Sequence, residues 1–337
     1  MTTAGCRVAF FEVEEWERDF LSSSAVAAWS PHLHVEPLTP EEAEKAATCE
    51  VVSVFIYSRI TDEVLAALRA LKLIATRSTG ADHIDLQAAC ARGIAVCNVP
   101  NYGENTVAEH TFALMLGLSR KTHRAHERTQ RLDFSLQGLE GFDLKGKTLG
   151  VVGAGAIGLH VIRIGRALDM RVLACDVRPN RLLAEVLGFQ YVPLDQLLRE
   201  SDIVSLHAPL TAETRHIIDR ETLAIMKRGA LLINTARGEL VDTAALIWAL
   251  DEGILAGAGL DVVEGEEVVK EERQLLSRGA SLEALRAAMQ NYALARRDKV
   301  ILTPHMAFYS REALQRVLEV TVANIHAFFE GHPQNLV

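Results

Sequence analysis

Thr148-Leu149-Gly150-Val151-Val152-Gly153-Ala154-Gly155-Ala156-Ile157-Gly158-Leu159 is an apolar run that breaks into closely spaced glycines and resumes as a helix-like stretch reaching Leu168. Read as strand, turn and helix, it gives each late glycine a physical task. The first permits the tight turn, the second lets main chain approach a pyrophosphate, and the third lets the helix pack close to the sheet. The hexapeptide alone is a weak signal, because a glycine-rich turn with no ligand reads the same way. Asp176 adds to it: it stands 18 residues after Gly158, at the end of the next apolar run, Arg171 to Cys175. A carboxylate there meets the hydroxyls of an adenosine ribose. Gly153, Gly155, Ala156, Ile157, Gly158 and Asp176 are therefore candidate dinucleotide-binding residues, with NAD preferred over NADP because Asp176 would face the extra phosphate.

Working outward, apolar runs at Thr148 to Val152, Arg171 to Cys175, Ile203 to Leu206, Ala230 to Asn234, Gly257 to Val262 and Val300 to Leu302 alternate with helical stretches. This spacing predicts a six-stranded doubly wound domain. A second alternating series occupies the first hundred residues, with strands at Val8 to Phe11, Val51 to Tyr57, Leu73 to Thr76 and Ile94 to Cys97. Helical stretches at Pro40 to Thr48, Asp62 to Leu71 and Asp85 to Arg92 separate them. Strands so uniformly apolar imply a parallel sheet covered on both faces. Between the two series, Glu104 to about Arg131 reads as one long helical segment, apolar in its first half and crowded with Arg and His in its second. The amphipathic stretch Arg311 to Phe329 and the short tail behind it are too small to fold alone, and are expected to pack on the first domain.

Composition excludes several classes. The 337 residues carry 35 Lys plus Arg against 44 Asp plus Glu, a net charge of −9, so a general nucleic-acid binder lacks the basic surplus it needs. Apolar runs such as Phe112 to Leu118 fall well short of the roughly 20 residues that cross a bilayer. The apolar stretch Cys6 to Phe11 runs into Glu12, Glu14 and Glu15 and is too short for a secretory core. Five scattered cysteines without C-x-x-C spacing signal neither a disulfide framework nor zinc, and fit a cytoplasmic compartment.

Three more segments end strands of the second series: Ile233-Asn234-Thr235-Ala236-Arg237-Gly238, Leu260-Asp261-Val262-Val263-Glu264-Gly265-Glu266 and Leu302-Thr303-Pro304-His305. The carboxyl ends of a doubly wound sheet share one edge, so an arginine, a carboxylate and a histidine converge on the dinucleotide. That set suits hydride transfer to a 2-oxo acid. The guanidinium fork holds the substrate carboxylate, a histidinium gives the proton to the developing alkoxide, and a carboxylate keeps that histidine charged and oriented.

At these residues the chain resembles the D-isomer-specific 2-hydroxyacid dehydrogenases. The matching motifs also include Thr79-Gly80-Ala81-Asp82-His83-Ile84-Asp85, Asn98-Val99-Pro100, Thr106-Val107-Ala108-Glu109-His110 and Leu206-His207-Ala208-Pro209-Leu210-Thr211, in order along almost the whole chain. Val51 to Tyr57, Val262 to Glu266 and His305-Met306-Ala307-Phe308-Tyr309 look most like the D-lactate dehydrogenase branch. The resemblance implies an α/β fold of two doubly wound parallel-sheet domains, one flavodoxin-like and one Rossmann, with the active-site cleft between them. Residues 1–102 and 306–337 would form the discontinuous substrate domain, and 103–305 the NAD-binding domain. It also implies a homodimer that pairs through the coenzyme domain and its long helix.

Carried over position by position, the catalytic residues fall on Arg237, Glu266 and His305, with His305 the proton donor. Thr79 and Gly80 would assist Arg237 with the substrate carboxylate, and Tyr57, Tyr102 and Phe308 would line the pocket. His207, Ala208, Pro209, Thr214, Thr235, Ala236 and Asp261 join the cofactor set, and no metal is implied. Val263 departs from the aromatic residue many relatives carry, and Ala208 from the common Val. The implied reaction is reduction of pyruvate to D-lactate.

Plainer readings stand beside these. Glu264 competes with Glu266 for the catalytic carboxylate, and the pattern of the family the chain resembles, which counts five residues from Asp261, favours Glu266. His123 and His126 sit among Lys121, Arg124 and Arg128, which favours a solvated helix face over a metal site. His83 and His110 read as structural. Tyr57, Tyr102 and Phe308 read equally as core aromatics. Glyoxylate or hydroxypyruvate reduction uses the same arginine and histidine, and an NADH-sensing corepressor would keep the same motifs. The stretch Leu282 to Arg297 reads as a charge-rich helix whose job is not legible.

Overall fold

The computed structural model describes residues 7–23, 25–265 and 282–337. Main-chain proximity divides the chain into two compact units, the first reaching Tyr102 and taking in Ser310–Val337, the second running from Gly103 to Tyr309.

The first unit holds a five-stranded sheet in the order β2-β1-β3-β4-β5, formed by β1 (Val8–Phe10), β2 (His32–Leu33), β3 (Val51–Val54), β4 (Leu73–Thr76) and β5 (Ala95–Cys97). Every pairing is parallel. All residues of β3 and β4 are buried, which accounts for sequences that are apolar but for Ser53 and Thr76. Around the sheet lie α1 (Glu15–Ser23), α2 (Asp62–Ala67) and α3 (Leu86–Ala91). Thr61 and Asp85 cap the last two by accepting from the Val64 and Ala88 N–H groups. The C-terminal helix Arg311–Phe329 contributes Ile325 to the cluster of Val8, Phe10, Val51 and Leu73. The tail behind it bridges antiparallel onto β5 at Cys97 and Leu336. Two expectations change here. Pro40 to Thr48 holds only a 3-10 turn, Ala43–Ala46, whose two buried alanines seat it on the core. The helix expected to Leu71 stops at Ala67, because Leu68 leaves helical geometry while burying its own side chain.

The second unit holds a seven-stranded parallel sheet in the order β12-β11-β10-β9-β6-β7-β8. Its strands are β6 (Thr148–Val152), β7 (Arg171–Cys175), β8 (Gln190–Tyr191), β9 (Ile203–Leu206), β10 (Ala230–Asn234), β11 (Leu255–Leu260) and β12 (Val300–Leu302). The strand beyond the expected six is β8, two residues paired to Leu173 and Ala174 and too short for any periodicity. Alternation sends Leu149, Val151, Leu231 and Ile233 to one apolar layer and Val152 and Leu232 to the other, so both faces are covered.

The long helical segment is two helices, α4 (Glu104–Arg120) and α5 (Thr122–Gln130), broken where Lys121 adopts φ 52° and ψ 33°. The break follows from burial: α4 buries residues such as Phe112, Leu114 and Met115, whereas α5 buries none. Further helices are α6 (Ala156–Ala167), α7 (Arg181–Leu187), α8 (Leu194–Glu200), α9 (Arg220–Ala224), α10 (Thr243–Asp251) and α11 (Leu282–Ala295). Among the described residues no helix is long and apolar enough to cross a membrane.

Candidate active site and coenzyme turn

The glycine turn joins β6 to α6, and its three glycines are required for different reasons. Gly153 sits at φ +93°, and a Cβ there would lie 2.6 Å from the Ala208 nitrogen and the His207 carbonyl carbon. A Cβ on Gly158 would lie 2.0 Å from the Gly153 oxygen. Both are demanded by the protein's own packing. Gly155 is different: it has an ordinary φ of −75°, and no atom comes within 4 Å of its would-be Cβ. Nothing in the described chain excludes a side chain there, whereas a pyrophosphate approaching the main chain would. Gly155 is also the N-cap of α6 and supplies no side chain to cap it, so the helix start offers its N–H groups and dipole to an anion. The donor set fits a dinucleotide.

Asp176 stands just past β7, where Oδ2 accepts from the Ala154 N–H at 2.7 Å and Oδ1 from the Arg178 N–H at 2.8 Å. An ionised carboxylate has about four acceptor positions, so two remain for ribose hydroxyls. His207 follows β9, and its Nε2 pairs with Ser205 Oγ at 2.8 Å. Its Nδ1 is buried without a partner among the described residues. Burial pushes the imidazole down to about 3, so the ring beside the glycine turn is neutral. Ala208 and Pro209 continue that segment, and the Thr214 hydroxyl is occupied in it, donating to Pro209 O and accepting from Thr211 N, both at 2.7 Å. Ala156 and Ile157 form the first turn of α6.

The candidate catalytic residues Arg237 and His305 follow β10 and β12, which flank β11 in the sheet. Beyond β10, the buried Asn234 shapes the turn by donating to Arg237 O at 2.8 Å and accepting from Ala236 N at 3.0 Å. Thr235 bonds to Thr111 of α4 through its hydroxyl. Arg237 donates to Ala236 O, and Gly238 after it lies flush against the Val263-Glu264 peptide.

Beyond β11, the carboxylate of Asp261, a residue expected to contact the coenzyme, is turned to donors from α4 and from the segment after β12. It is 1% exposed, and its carboxylate accepts from Thr303 Oγ1 (2.5 Å), Met306 N (2.9 Å) and Ala307 N (2.8 Å), with His110 Nε2 at 3.5 Å. Burial raises the carboxyl, but the bonds from His110, Thr303, Ala307 and Met306 outweigh it and hold Asp261 below the ordinary range. The Asp261 main-chain oxygen accepts from the His305 N–H at 2.9 Å, with His305 in the left-handed region at φ 54°. Holding a non-glycine residue there needs support, and Asp261 provides it. The His305 ring meets Phe308 edge-on at 6.3 Å. His110 completes this scaffold through Thr303 Oγ1 at 3.1 Å.

Glu264 is engaged elsewhere: Oε1 meets His216 Nε2 at 2.6 Å, while Oε2 accepts from the Thr243 N–H and hydroxyl at the start of α10. Its main-chain oxygen accepts from Asn291 of α11 at 2.9 Å. Glu266 lies outside the described residues.

In the first unit, Thr79 donates its hydroxyl to Val99 O at 2.8 Å and its carbonyl accepts from Asn98 at 2.7 Å, while Ser78 Oγ donates to Gly80 O at 2.6 Å. Tyr57 is 54% exposed, and Tyr102 accepts from Arg316 through its main-chain oxygen. Among the described residues no group of His, Cys, Asp or Glu is arranged to hold a metal. The supporting roles of Asp261 and Asn291 carried no sequence signal, because each acts through partners tens of residues away.

A doubly wound sheet with a dinucleotide turn, and an arginine and a histidine at the ends of nearby strands, defines an NAD-dependent oxidoreductase. The family model described as D-isomer specific 2-hydroxyacid dehydrogenase, NAD binding domain, matches residues 112–307, and the chain belongs to that family. It is 38% identical over 304 residues to D-lactate dehydrogenase of Escherichia coli strain K12, covering 89% of this chain and 90% of the relative. It is also 38% identical over 299 residues to glyoxylate reductase of Korarchaeum cryptofilum, covering 87% and 84%. Among solved structures, D-lactate dehydrogenase from Aquifex aeolicus complexed with NAD and lactic acid superposes with a TM-score of 0.87 at 39% identity, over 97% of this chain and 96% of that one.

Proposed function

We propose that the protein reduces pyruvate to D-lactate with NADH, the first unit serving as substrate domain and the second as coenzyme domain. The observation that carries the reading is the arrangement at one sheet edge of Arg237 beyond β10 and of His305 held by Asp261 beyond β12. Likeness to D-lactate dehydrogenases supports the choice of substrate.

In this reading the Arg237 guanidinium takes the pyruvate carboxylate as a fork and polarises the neighbouring carbonyl. The main chain at Thr79 and Gly80 assists, and Tyr57, Tyr102 and Phe308 shape the space for the methyl group. NADH, when bound, supplies the hydride. His305 gives its proton to the carbonyl oxygen as the alcohol forms, and the Glu266 carboxylate has the role of orienting that imidazole. One proton and one hydride are consumed per lactate.

A panel of pyruvate, glyoxylate, hydroxypyruvate and phenylpyruvate tests the reading. Pyruvate should rank first in kcat/KM. A higher rank for glyoxylate or hydroxypyruvate would move the assignment to a reductase of those acids, and absence of turnover with retained NADH binding would favour a nucleotide sensor. We also propose a homodimer. Leu116 of α4, with Leu132, Phe134 and Leu136 after α5, is exposed at 43%, 81%, 74% and 83%, an apolar surface that pairing would cover. Light scattering at micromolar concentration should give twice the chain mass. The described cysteines Cys49, Cys90, Cys97 and Cys175 are free thiols, which supports a cytoplasmic setting.

A further inference from the structure

Glu12 is a glutamate in the left-handed region, at φ 57°, one residue past the buried Phe11 and two past the end of β1. Its carboxylate is fully directed at one segment, the residues that leave β3. Oε2 accepts from the Phe55 N–H at 2.7 Å and the Ser58 hydroxyl at 2.5 Å, and Oε1 accepts from the Tyr57 N–H at 2.7 Å. Ser58 Oγ is itself buried and accepts from Leu38 N at 2.8 Å. A charged acceptor taking three donors from four consecutive residues fixes the shape of that turn.

The main chain of Glu12 is held with equal care. Arg77, 1% exposed, donates through Nη2 to Phe11 O at 2.7 Å and to Glu12 O at 2.9 Å, and through Nη1 to Ser53 Oγ at 3.2 Å. Its Nε faces the buried Glu17 at 3.3 Å. Arg77 immediately precedes Ser78-Thr79-Gly80. Since β1, β3 and β4 are adjacent and parallel, their carboxyl ends share an edge, and Glu12 with Arg77 ties the Phe55–Ser58 and Ser78–Gly80 loops into one frame. A buried ion pair is a poor source of net stability, and a carboxylate on a strained main chain is another cost. Their concentration beneath two loops fits precision of placement better than stability.

We propose that Glu12 is a positioning residue for the 2-oxo acid: by clamping Phe55–Ser58 it sets where Tyr57 stands, and so which substrate side chains are admitted. This rests on the assignment of Tyr57 and of Thr79-Gly80 to the substrate. Glu12 acts through those loops and touches no reacting atom.

The test compares wild type with Glu12→Gln in the full-length protein, measuring kcat and KM for pyruvate, 2-oxobutyrate and phenylpyruvate, NADH Kd by fluorescence, and Tm. Glutamine keeps the length but turns an amide NH2 toward main-chain N–H donors, so at least one bond is lost. The expected result is an increase of about tenfold in KM for pyruvate with kcat within about threefold, and a loss of roughly fivefold in preference for pyruvate over phenylpyruvate. NADH Kd should stay unchanged. Ser58→Ala removes one of the three donors and should shift the ranking the same way by about half as much on a logarithmic scale; it carries the test if Glu12→Gln does not fold. A lowered Tm with KM and ranking unchanged would overturn the proposal. If wild type reduced none of these acids, the assigned function itself would fall, whereas an active wild type with unaltered variants would strike only the role of Glu12.

Discussion

Gly238 lies so close to Val263 that a Cβ on residue 238 would stand 2.2 Å from the Val263 carbonyl carbon and 2.3 Å from its oxygen. The residue after Arg237 is thus in direct contact with the segment that leads into Glu266. The contact is main chain against main chain, so a side chain added at 238 would meet no flexible neighbour that could give way.

Gly238→Ala should therefore separate the two segments rather than merely crowd them. A displacement near 1 Å at a reacting group costs on the order of a hundredfold. kcat/KM for the 2-oxo acid should fall by about that factor, while NADH Kd, set by the glycine turn, changes little. Steady-state kinetics with a fluorescence titration of NADH checks this, and an unaltered kcat/KM would show that the close packing has no bearing on the chemistry.

Gly155→Ala and Gly158→Ala should part company. The first finds open space, so Tm should hold within a degree or two while NADH affinity drops by at least about tenfold. The second drives a methyl into the Gly153 oxygen and should lower Tm sharply. Thermal melts of both variants, with and without NADH, distinguish packing from ligand approach. Equal NADH affinity in Gly155→Ala would argue that the pyrophosphate does not pass there.

Asp261→Asn tests the support beneath His305. Asp261 is held below its ordinary value in the folded protein, so its contribution to stability is full above the ordinary carboxylate range near pH 4, and is lost as pH falls through the lower, folded value. Asparagine cannot accept from Thr303, Met306 and Ala307 together. The variant should lose about 2–4 kcal/mol at pH 7, with the gap to wild type closing in acid. Melts between pH 3 and pH 7 would show this convergence; a constant gap would mean packing, not charge, is the cause.

Coenzyme choice is expected to follow Asp176. At about 4 Å and an effective dielectric near 20, a charge pair with the extra phosphate of NADP costs on the order of 4 kcal/mol, and a third of that is roughly tenfold. Wild type should prefer NADH by at least that margin, and Asp176→Ala should narrow it. The same variant loses the bond to Ala154 N, so NADH affinity should drop as well. Arg178 and Arg181 are exposed behind Asp176. Equal use of NADPH by wild type would point to them as the residues to mutate next.

Much of the architecture could be read directly from the chain. Mostly apolar runs at β3, β4, β6 and β10 announce parallel strands buried on both faces, because such strands have no solvent side to record. The glycine turn and Asp176 stood out as candidates because their spacing is local, and Arg237 and His305 because each lies three residues past a strand end. A short strand such as β8 carries no period, and the break at Lys121 follows from how much surface its neighbours bury.

Sequence by itself determined the fold class and the family and named candidates for the chemistry, since these depend on residue type and separation along one segment. Tertiary structure alone decided how those residues are held: Asp261 beneath His305, Glu264 at the start of α10, and Glu12 across the end of β3. Each is a carboxylate whose donors lie in another segment, 43 residues on for the Phe55 N–H at Glu12 and 45 for the Met306 N–H at Asp261. A buried carboxylate binds whatever donors the fold brings within about 3 Å, and that proximity is a property of the folded chain, with no counterpart in local order.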